Sequence, residues 1–167
     1  MATTKWVLDP THSEVEFKIR HMMISTVSGK FTQFAAEVQT EAEDFMTARV
    51  SFTVDVKSIT TGNEQRDGHL QAPDFFDAAR FPEIKFTTTK YENVDNDGSY
   101  EVYGNLTIRD VTKQVKLDAE FGGVARVASR LAGPVLWWTT RREEGRLAAG
   151  WTYEPPTIIE RTNWGTV

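Results

Sequence analysis

Apolar residues at every second position are the feature of this sequence that most constrains its fold. In the stretch SEVEFKIRH, residues 13–21, Val15, Phe17 and Ile19 alternate with charged residues. This period of two is typical of an antiparallel strand that buries one face and exposes the other. The same alternation recurs in residues 30–41, 48–59, 83–91, 100–110 and 114–121.

Turn signals separate these stretches, and one segment breaks the pattern. The turn signals are Asp9-Pro10, Ser28-Gly29, Thr61-Gly62, 95–98 and Gly122-Gly123. Residues 63–72 contain no β-branched residue, so they predict a short helix with Asn63 as its N-cap, which Pro73 would stop or restart. The sequence therefore predicts an all-β barrel or sandwich of antiparallel strands, interrupted by a helical insertion around Asn63–Ala79.

Length and charge exclude several classes of protein. A chain of 167 residues is expected to form a single domain over residues 1–167. Lys and Arg number 19 against 24 Asp and Glu, and the net charge of -5 disfavours a nucleic-acid partner. The absence of cysteine excludes a disulfide framework, a thiol nucleophile and a thiolate metal site.

Hydropathy adds an expectation about location. No apolar run approaches the length that spans a membrane. The first residues contain neither the apolar core nor the cleavage pattern of a secretory signal peptide. We therefore expect a protein without a transmembrane segment that is cytoplasmic.

A cluster of ionisable residues in the insertion invites comparison with an active site. Arg66, Asp67 and His69 lie within four residues of one another, and Asp74 and Asp77 follow. A hydrolase would need an activated nucleophile beside a base, and no G-x-S-x-G motif is present. The preferred interpretation is structural: Arg66 or His69 pairs with one of the aspartates and pins the helix to the rim of the barrel.

The three histidines predict no metal site. His12, His21 and His69 are far apart and match no metal-binding spacing, although they could converge in space. His21 continues the inward face of Phe17 and Ile19, so it is either a satisfied core histidine or a polar contact inside a cavity. No nucleotide-binding motif is present either, and the sequence names no reaction.

The aromatic content fits a barrel that is either filled or hollow. The chain has ten Phe, five Trp and four Tyr. A barrel of about eight strands is filled by side chains or holds one small ligand. Composition does not separate these two cases. Gly104 interrupts one strand pattern and predicts a bend or a close approach of another group.

Three motifs together resemble a known family. The stretch WVLDPTHSEVEFKIRHMMISTVSGKFTQF, residues 6–34, resembles the opening of the YceI-like family of lipocalin-like, polyisoprenoid-binding proteins. NEQRDGHLQAPDFFDAARFPEIKFTTT, residues 63–89, resembles its hallmark insertion, and YGNLTIRDVTKQVKLDAEFGG, residues 103–123, its next strand pair. The resemblance runs from about Trp6 to Gly123, and the C-terminal third departs from the family pattern.

The resemblance implies a fold and a function. It implies an extended antiparallel lipocalin-like β-barrel, often dimeric, with a helical element near one end. It also implies an apolar cavity that binds and carries a long-chain amphiphile, such as a polyisoprenoid, an isoprenoid quinone or a fatty amide, without catalysis. The ionisable cluster then belongs to the architecture at the end of the cavity, with Phe75, Phe76 and Phe81 as its apolar part.

The inward faces supply the predicted ligand contacts, with no catalytic residue, metal or cofactor. These contacts are Phe17, Ile19, His21, Phe31, Phe34, Phe52, Val54, Phe75, Phe76, Phe86, Leu106 and Ile108. One alternative is an enzyme that acts on a lipid-like substrate with His21 or His69 as general base. Another is a filled barrel that serves as an interaction module.

The end of the chain carries an expectation about assembly. If no strand follows residues 158–165, the first strand, around Trp6 and Leu8, lacks a neighbour. Its unpaired backbone groups would then pair with Val135–Trp138 or with a second chain. We therefore expect a homodimer, and we expect the charged run 141–144 in an exposed turn.

Overall fold

Short antiparallel strands dominate the computed structural model of the chain. The structure describes residues 3–8, 13–21, 25–41, 44–93, 99–126, 134–141, 145–147, 151–154, 158–159 and 164–166. The strands are β1 Thr3–Leu8, β2 Val15–His21, β3 Ser25–Phe31, β4 Phe34–Glu41, β5 Asp44–Asp55, β6 Ile59–Thr60, β7 Glu83–Asn93, β8 Ser99–Ile108, β9 Val111–Arg126, β10 Pro134–Arg141, β11 Gly145–Leu147, β12 Trp151–Glu154, β13 Ile158–Ile159 and β14 Trp164–Thr166. One helix, α1 Glu64–Leu70, and one 3-10 turn, Val56–Ser58, lie between β5 and β7.

The strands form two antiparallel sheets. The larger sheet has the order β13-β10-β9-β8-β7-β5-β4-β1-β14, and the smaller has the order β11-β12-β2-β3-β6. Every ladder is antiparallel, so the predicted all-β antiparallel class is confirmed. No ladder joins the two sheets within the described residues, and they are not closed into one barrel there.

Alternation in the sequence corresponds to alternation in burial. In β2, Val15 and Phe17 are 2 % and 5 % exposed, whereas the neighbouring Glu14 and Lys18 are exposed. In β5, Val54 is buried. Because side chains in a strand point to opposite faces in turn, one face of each strand packs inward.

The inward faces form three apolar clusters. The basal cluster lies beside the insertion and consists of Val15, Phe17, Phe31, Val54, Val56, Ile59, Leu70, Phe76 and Ala78. The central cluster is Phe86, Val102 and Ala119, and the distal cluster is Trp6, Val38 and Ala48. Phe52 packs against the basal and central clusters, and Tyr91 packs against the central and distal clusters. The three clusters therefore form one continuous apolar seam.

The helical insertion begins and ends where the sequence predicts. The Asn63 side-chain oxygen accepts a hydrogen bond from Arg66 N at 2.9 Å, which caps the first turn of α1. The helix ends at Leu70, which is buried, with Gln71 as its C-cap. Pro73 follows, where a further helical turn would lose a backbone donor.

Two of the predicted turns are wrong. Gly29 lies inside β3, opposite Phe17 of β2, and residues 122–123 lie inside β9. Gly29 is needed there for space, because a Cβ at this position would lie 2.8 Å from Phe17 Cε1 and 2.9 Å from Thr60 O. The turn at Gly62 is confirmed, with φ +76°. Residues 9–10 and 95–98 lie outside the described residues.

The expectation of an unpaired first strand is also wrong. β1 pairs with β4 on one side and with β14 on the other, where Trp6 lies opposite Thr166. A strand therefore follows the segment 158–163 and occupies the free edge of β1. Val135–Trp138 belongs to β10 and pairs with β9, its neighbour in the chain. Residues 142–144 of the charged run lie outside the described residues.

Candidate ligand-binding interior

All but two of the predicted ligand contacts meet in the apolar seam. Phe17, Phe31, Val54, Phe76 and Phe86 are buried members of the basal or central cluster. The half-buried contacts that pack against these clusters are Phe34, Phe52, Phe75, Leu106 and Ile108. Ile19 and His21 belong to β2 by their backbone, and their side chains lie outside the described residues.

Strand register explains why these residues meet. Phe52 of β5 lies opposite Phe86 of β7, which lies opposite Leu106 of β8. These three form an apolar row across three strands of the larger sheet. On the smaller sheet, Val15 lies opposite Phe31. Cross-strand pairs of this kind are the packing units of a sheet.

Aromatic rings pair within each sheet and between the smaller sheet and the insertion. The Phe17 and Phe31 ring centroids are 5.2 Å apart, and the Phe31 and Phe76 centroids are 6.5 Å apart with an interplanar angle of 73°. The Phe34 and Phe52 centroids lie 6.0 Å apart. These separations are in the range of favourable ring pairs. The basal end of the seam is therefore built from contacting aromatic rings.

Few polar side chains are buried. Among the described residues, the buried polar or charged side chains are Ser13, Thr40 and Asp77. Thr40 Oγ1 accepts a hydrogen bond from Trp6 Nε1 at 2.9 Å in the distal cluster. An interior of this composition recognises a partner by hydrophobic contact and shape more than by charge.

Tyr91 is an interior residue that the sequence analysis missed. Burial raises the pKa of Tyr91 to about 12, although a side-chain hydrogen bond with Thr88 acts in the opposite direction. The phenol is therefore neutral near pH 7. The register of β7 with β8 shifts between Thr88 and Lys90, so the inward phase of Ile84, Phe86 and Thr88 changes before Tyr91. A strict alternation therefore places Tyr91 on the wrong face.

The first part of the ionisable cluster has a structural role with other partners than predicted. Asp67 Oδ1 accepts hydrogen bonds from Thr61 N at 2.8 Å and from Thr61 Oγ1 at 2.6 Å. Arg66 Nε donates to Thr61 Oγ1 at 2.7 Å, and Arg66 Nη2 donates to Thr61 O at 3.0 Å. Arg66 and Asp67 therefore bind one threonine, whereas the sequence predicted that Arg66 or His69 pairs with an aspartate. His69 is exposed and contacts the Phe75 ring, with centroids 4.8 Å apart.

The second part of the cluster includes a residue that sequence reasoning missed. The buried carboxylate of Asp77 lies 3.7 Å from Arg80 Nη1 and 3.9 Å from Arg109 Nη2. Arg109 also donates from Nη1 to the Phe75 carbonyl at 2.9 Å. Arg109 comes from the turn between β8 and β9, and no sequence spacing connects it to the insertion. Asp74 is exposed.

A surface groove of about 450 Å³ lies at the ends of β4, β5 and β7. Its lining includes Phe34, Asp55, Lys57 and Glu83. Of the predicted ligand contacts, Phe34 borders it. The mixture of charged and apolar groups differs from the apolar seam, so this groove is not the predicted cavity.

Neither a metal-ion site nor a membrane-spanning helix is present within the described residues. No group of three or more His, Cys, Asp or Glu side chains is arranged to hold a metal ion there. No helix in this part of the chain has the length and apolar character needed to cross a membrane.

Comparisons with known proteins identify relatives of the chain. The YceI-like domain family matches residues 6–167, so the match extends through the C-terminal third that the motif comparison had left out. A UPF0312 protein of Staphylococcus aureus strain USA300 is 36% identical over 144 residues, covering 84% of this chain and 81% of that protein. The UPF0312 protein of strain Mu50 is 38% identical over 144 residues, covering 84% and 80%.

Solved structures share the fold. The Campylobacter jejuni YceI protein is 26% identical, with a TM-score of 0.69 over 89% of each chain. A polyisoprenoid binding domain from Saccharophagus degradans is 12% identical, with a TM-score of 0.63 over 97% of this chain and 98% of that chain. These similarities confirm the lipocalin-like β-barrel class. With a family match over residues 6–167, the chain belongs to the YceI-like domain family.

Proposed function

We propose that this protein binds and carries a long-chain amphiphile in its apolar seam, without catalysis. The observation that carries the proposal is the continuity of the seam, since Phe52 joins the basal cluster to the central cluster. The candidate ligands are a polyisoprenoid, an isoprenoid quinone and a fatty amide. The fold shared with a polyisoprenoid binding domain supports this choice of ligand class.

Hydrophobic contact alone accounts for useful affinity. Burial of one methylene group contributes about 0.8 kcal/mol, so ten ordered groups contribute roughly 8 kcal/mol before the costs of ordering. A micromolar dissociation constant corresponds to a net binding free energy of about 8 kcal/mol, so the ligand must bury more than ten such groups to reach it after these costs. Such a ligand needs no charged partner inside the protein.

Mass spectrometry of organic extracts tests the proposal. The protein, purified without detergent, should release one lipid-like compound in a near-stoichiometric amount. Protein stripped of that compound should take up an added prenyl quinone. The absence of both a bound lipid and uptake would exclude the proposal.

The enzymatic alternative makes a different prediction for the same extracts. His69 is exposed beside Phe75, which is unlike a general base held in a pocket with a carboxylate. We expect His69→Gln and His21→Gln variants to carry the same compound as the natural protein. An extract of either variant that contained a different, unconverted lipid would instead support catalysis.

The homodimer remains a prediction. An unpaired β1 cannot drive dimerisation, because β1 pairs with both β4 and β14. The dimer now rests on the resemblance to the family. Light scattering of the full chain at tens of micromolar would decide between a dimer and a monomer.

A further inference from the structure

The two halves of the insertion are held with unequal strength. Four short hydrogen bonds, at 2.6, 2.7, 2.8 and 3.0 Å, hold Arg66 and Asp67 of α1 to Thr61. Two of them pair a guanidinium with neutral oxygen atoms, and two pair a carboxylate with neutral donors. Charge-assisted hydrogen bonds of this length are among the strongest in proteins. The first half of the insertion is therefore firmly fixed.

The second half, residues 72–81, consists of turns whose backbone hydrogen bonds run within the segment or back to the end of α1. Phe76 N donates to Leu70 O at 3.0 Å, and Ala78 N donates to Gln71 O at 3.0 Å. One polar connection from this segment to the larger sheet runs through Arg109, which donates to Phe75 O at 2.9 Å. Arg109 also lies over the Phe81 ring, 5.7 Å from its centroid.

This connection is formed at a cost. Asp77 and Arg109 both have positive φ angles, +51° and +58°, which L-residues with side chains rarely adopt. The Asp77 carboxylate is 3.9 Å from Arg109 Nη2, longer than a hydrogen-bonded ion pair. Arg109 Nε is buried and has no hydrogen-bond partner within the described residues. The buried donor without a partner, the long ion pair and the positive φ of Asp77 favour release of the connection, whereas the positive φ of Arg109 belongs to the β8–β9 turn and persists.

The segment held by Arg109 covers the basal end of the apolar seam. Phe76 is 8 % exposed and Ala78 is 3 % exposed, and both belong to the basal cluster. Phe75 accepts the hydrogen bond from Arg109 through its backbone carbonyl, and its side chain packs against the same cluster. Movement of residues 75–78 away from the sheets would therefore uncover Phe31 and the rings behind it.

We propose that Arg109 is a latch: it holds residues 72–81 closed over the basal end of the seam, and its release opens that end while α1 stays in place. The part of this inference that concerns ligand exchange rests on the proposed function. The latch itself does not, because it follows from contacts within the protein.

Amide hydrogen exchange of the ligand-free protein tests the latch directly. Arg109→Asn removes the guanidinium but keeps a residue type that tolerates positive φ, so the β8–β9 turn should form. We expect the amides of Phe75, Phe76 and Ala78 to exchange roughly tenfold faster in this variant, since a hydrogen bond from a charged donor is lost. The amides of Asp67 in α1 and of the C-cap residue Gln71 should exchange as in the natural protein.

Arg80→Ala is the matched control. Arg80 contacts the same carboxylate of Asp77 and lies over the same Phe81 ring, at 3.7 Å and 5.2 Å, but it is 73 % exposed and belongs to the insertion itself. Because it does not connect the insertion to the sheet, its removal should leave exchange at residues 75–78 nearly unchanged. Equal acceleration in both variants, or no acceleration in Arg109→Asn, would overturn the latch.

The rate of prenyl quinone uptake, monitored by quenching of tryptophan fluorescence, tests whether opening of the basal end admits the ligand. Arg109→Asn should take up the quinone several-fold faster than the natural protein and Arg80→Ala, with the same amount bound at saturation. Faster amide exchange with an unchanged uptake rate would exclude the basal end as the entrance. If no variant binds the quinone, the proposed function fails, whereas the exchange result still decides whether the latch exists.

Discussion

Gly104 shows how the absence of a side chain fixes the packing of a neighbour. A Cβ built on Gly104 would lie 2.5 Å from Phe86 Cε2 and 2.7 Å from Thr87 O, closer than real carbon contacts. The Phe86 ring therefore lies over the glycine of the adjacent strand, a known way to stabilise a glycine in a sheet. The close approach predicted at Gly104 is confirmed. Gly29 has the same relation to Phe17.

We expect Gly104→Ala to destabilise the protein by about 1–3 kcal/mol, because the methyl group overpacks a buried ring. Gly68→Ala is the control. Gly68 lies in α1 with no atom within 4 Å of a built Cβ, and alanine there should stabilise the helix by up to about 1 kcal/mol. Urea denaturation measures both changes. Equal unfolding midpoints for Gly104→Ala and the natural protein would contradict the packing argument.

Tyr91 should make the folded protein less stable at alkaline pH. Burial raises its pKa from 10.0 to about 12 in the folded protein. Between these pH values the unfolded chain loses the phenolic proton while the folded chain keeps it, so stability is full below pH 10 and falls as the pH rises towards 12. Ionisation of this group should lower the free energy of unfolding by roughly 1–2 kcal/mol.

Tyr91→Phe removes the ionisable group and should remove that part of the loss. The free energies of unfolding of the variant and the natural protein, measured in urea at pH 9 and pH 11, provide the comparison. Between pH 9 and pH 11, the free energy of unfolding should fall less in the variant than in the natural protein. A difference that is the same at both pH values would show that the phenol does not carry this effect.

At the scale of elements, the insertion depends on the contact between Asp67 and Thr61. Asp67→Ala leaves Thr61 N–H without its acceptor, and we expect a loss of about 1–2 kcal/mol of stability after the better helix propensity of alanine is included. Asp74→Ala, at an exposed position of the same insertion, should change stability by less than about 0.5 kcal/mol. Thermal unfolding of both variants gives the comparison, and similar losses would refute the specific role of Asp67.

At the scale of the whole molecule, Phe52 connects clusters that would otherwise be separate. Phe52→Ala should destabilise the protein by about 2–4 kcal/mol, because it removes a ring that packs against two clusters. The same variant should retain less extractable lipid. Val111→Ala, at a residue that is 51 % exposed, is the control and should change neither quantity measurably. Unchanged stability and lipid content in Phe52→Ala would show that neither folding nor lipid binding depends on the contact that Phe52 makes between the two clusters.

From the sequence alone, six of the strands (β2, β4, β5, β7, β8 and β9), the position of the helix and most of the interior set could be predicted. These properties are local, because alternation along a strand selects the buried face and Asn63 caps the next turn wherever the segment lies in the fold. Phe17, Phe31 and Val54 could therefore be placed inside before any partner was known. The family followed from motifs of the same local kind.

Contacts between groups that are distant in the sequence depend on the tertiary structure. Arg109 contacts Phe75 across 34 residues, and β14 returns to pair with β1 from the other end of the chain. A bulge between Thr88 and Lys90 moved Tyr91 to the inner side, and Gly29 lies inside a strand where a Cβ would clash with the Phe17 ring. These outcomes depend on strand register and side-chain volume across neighbouring strands, and no period in one stretch of sequence contains that information.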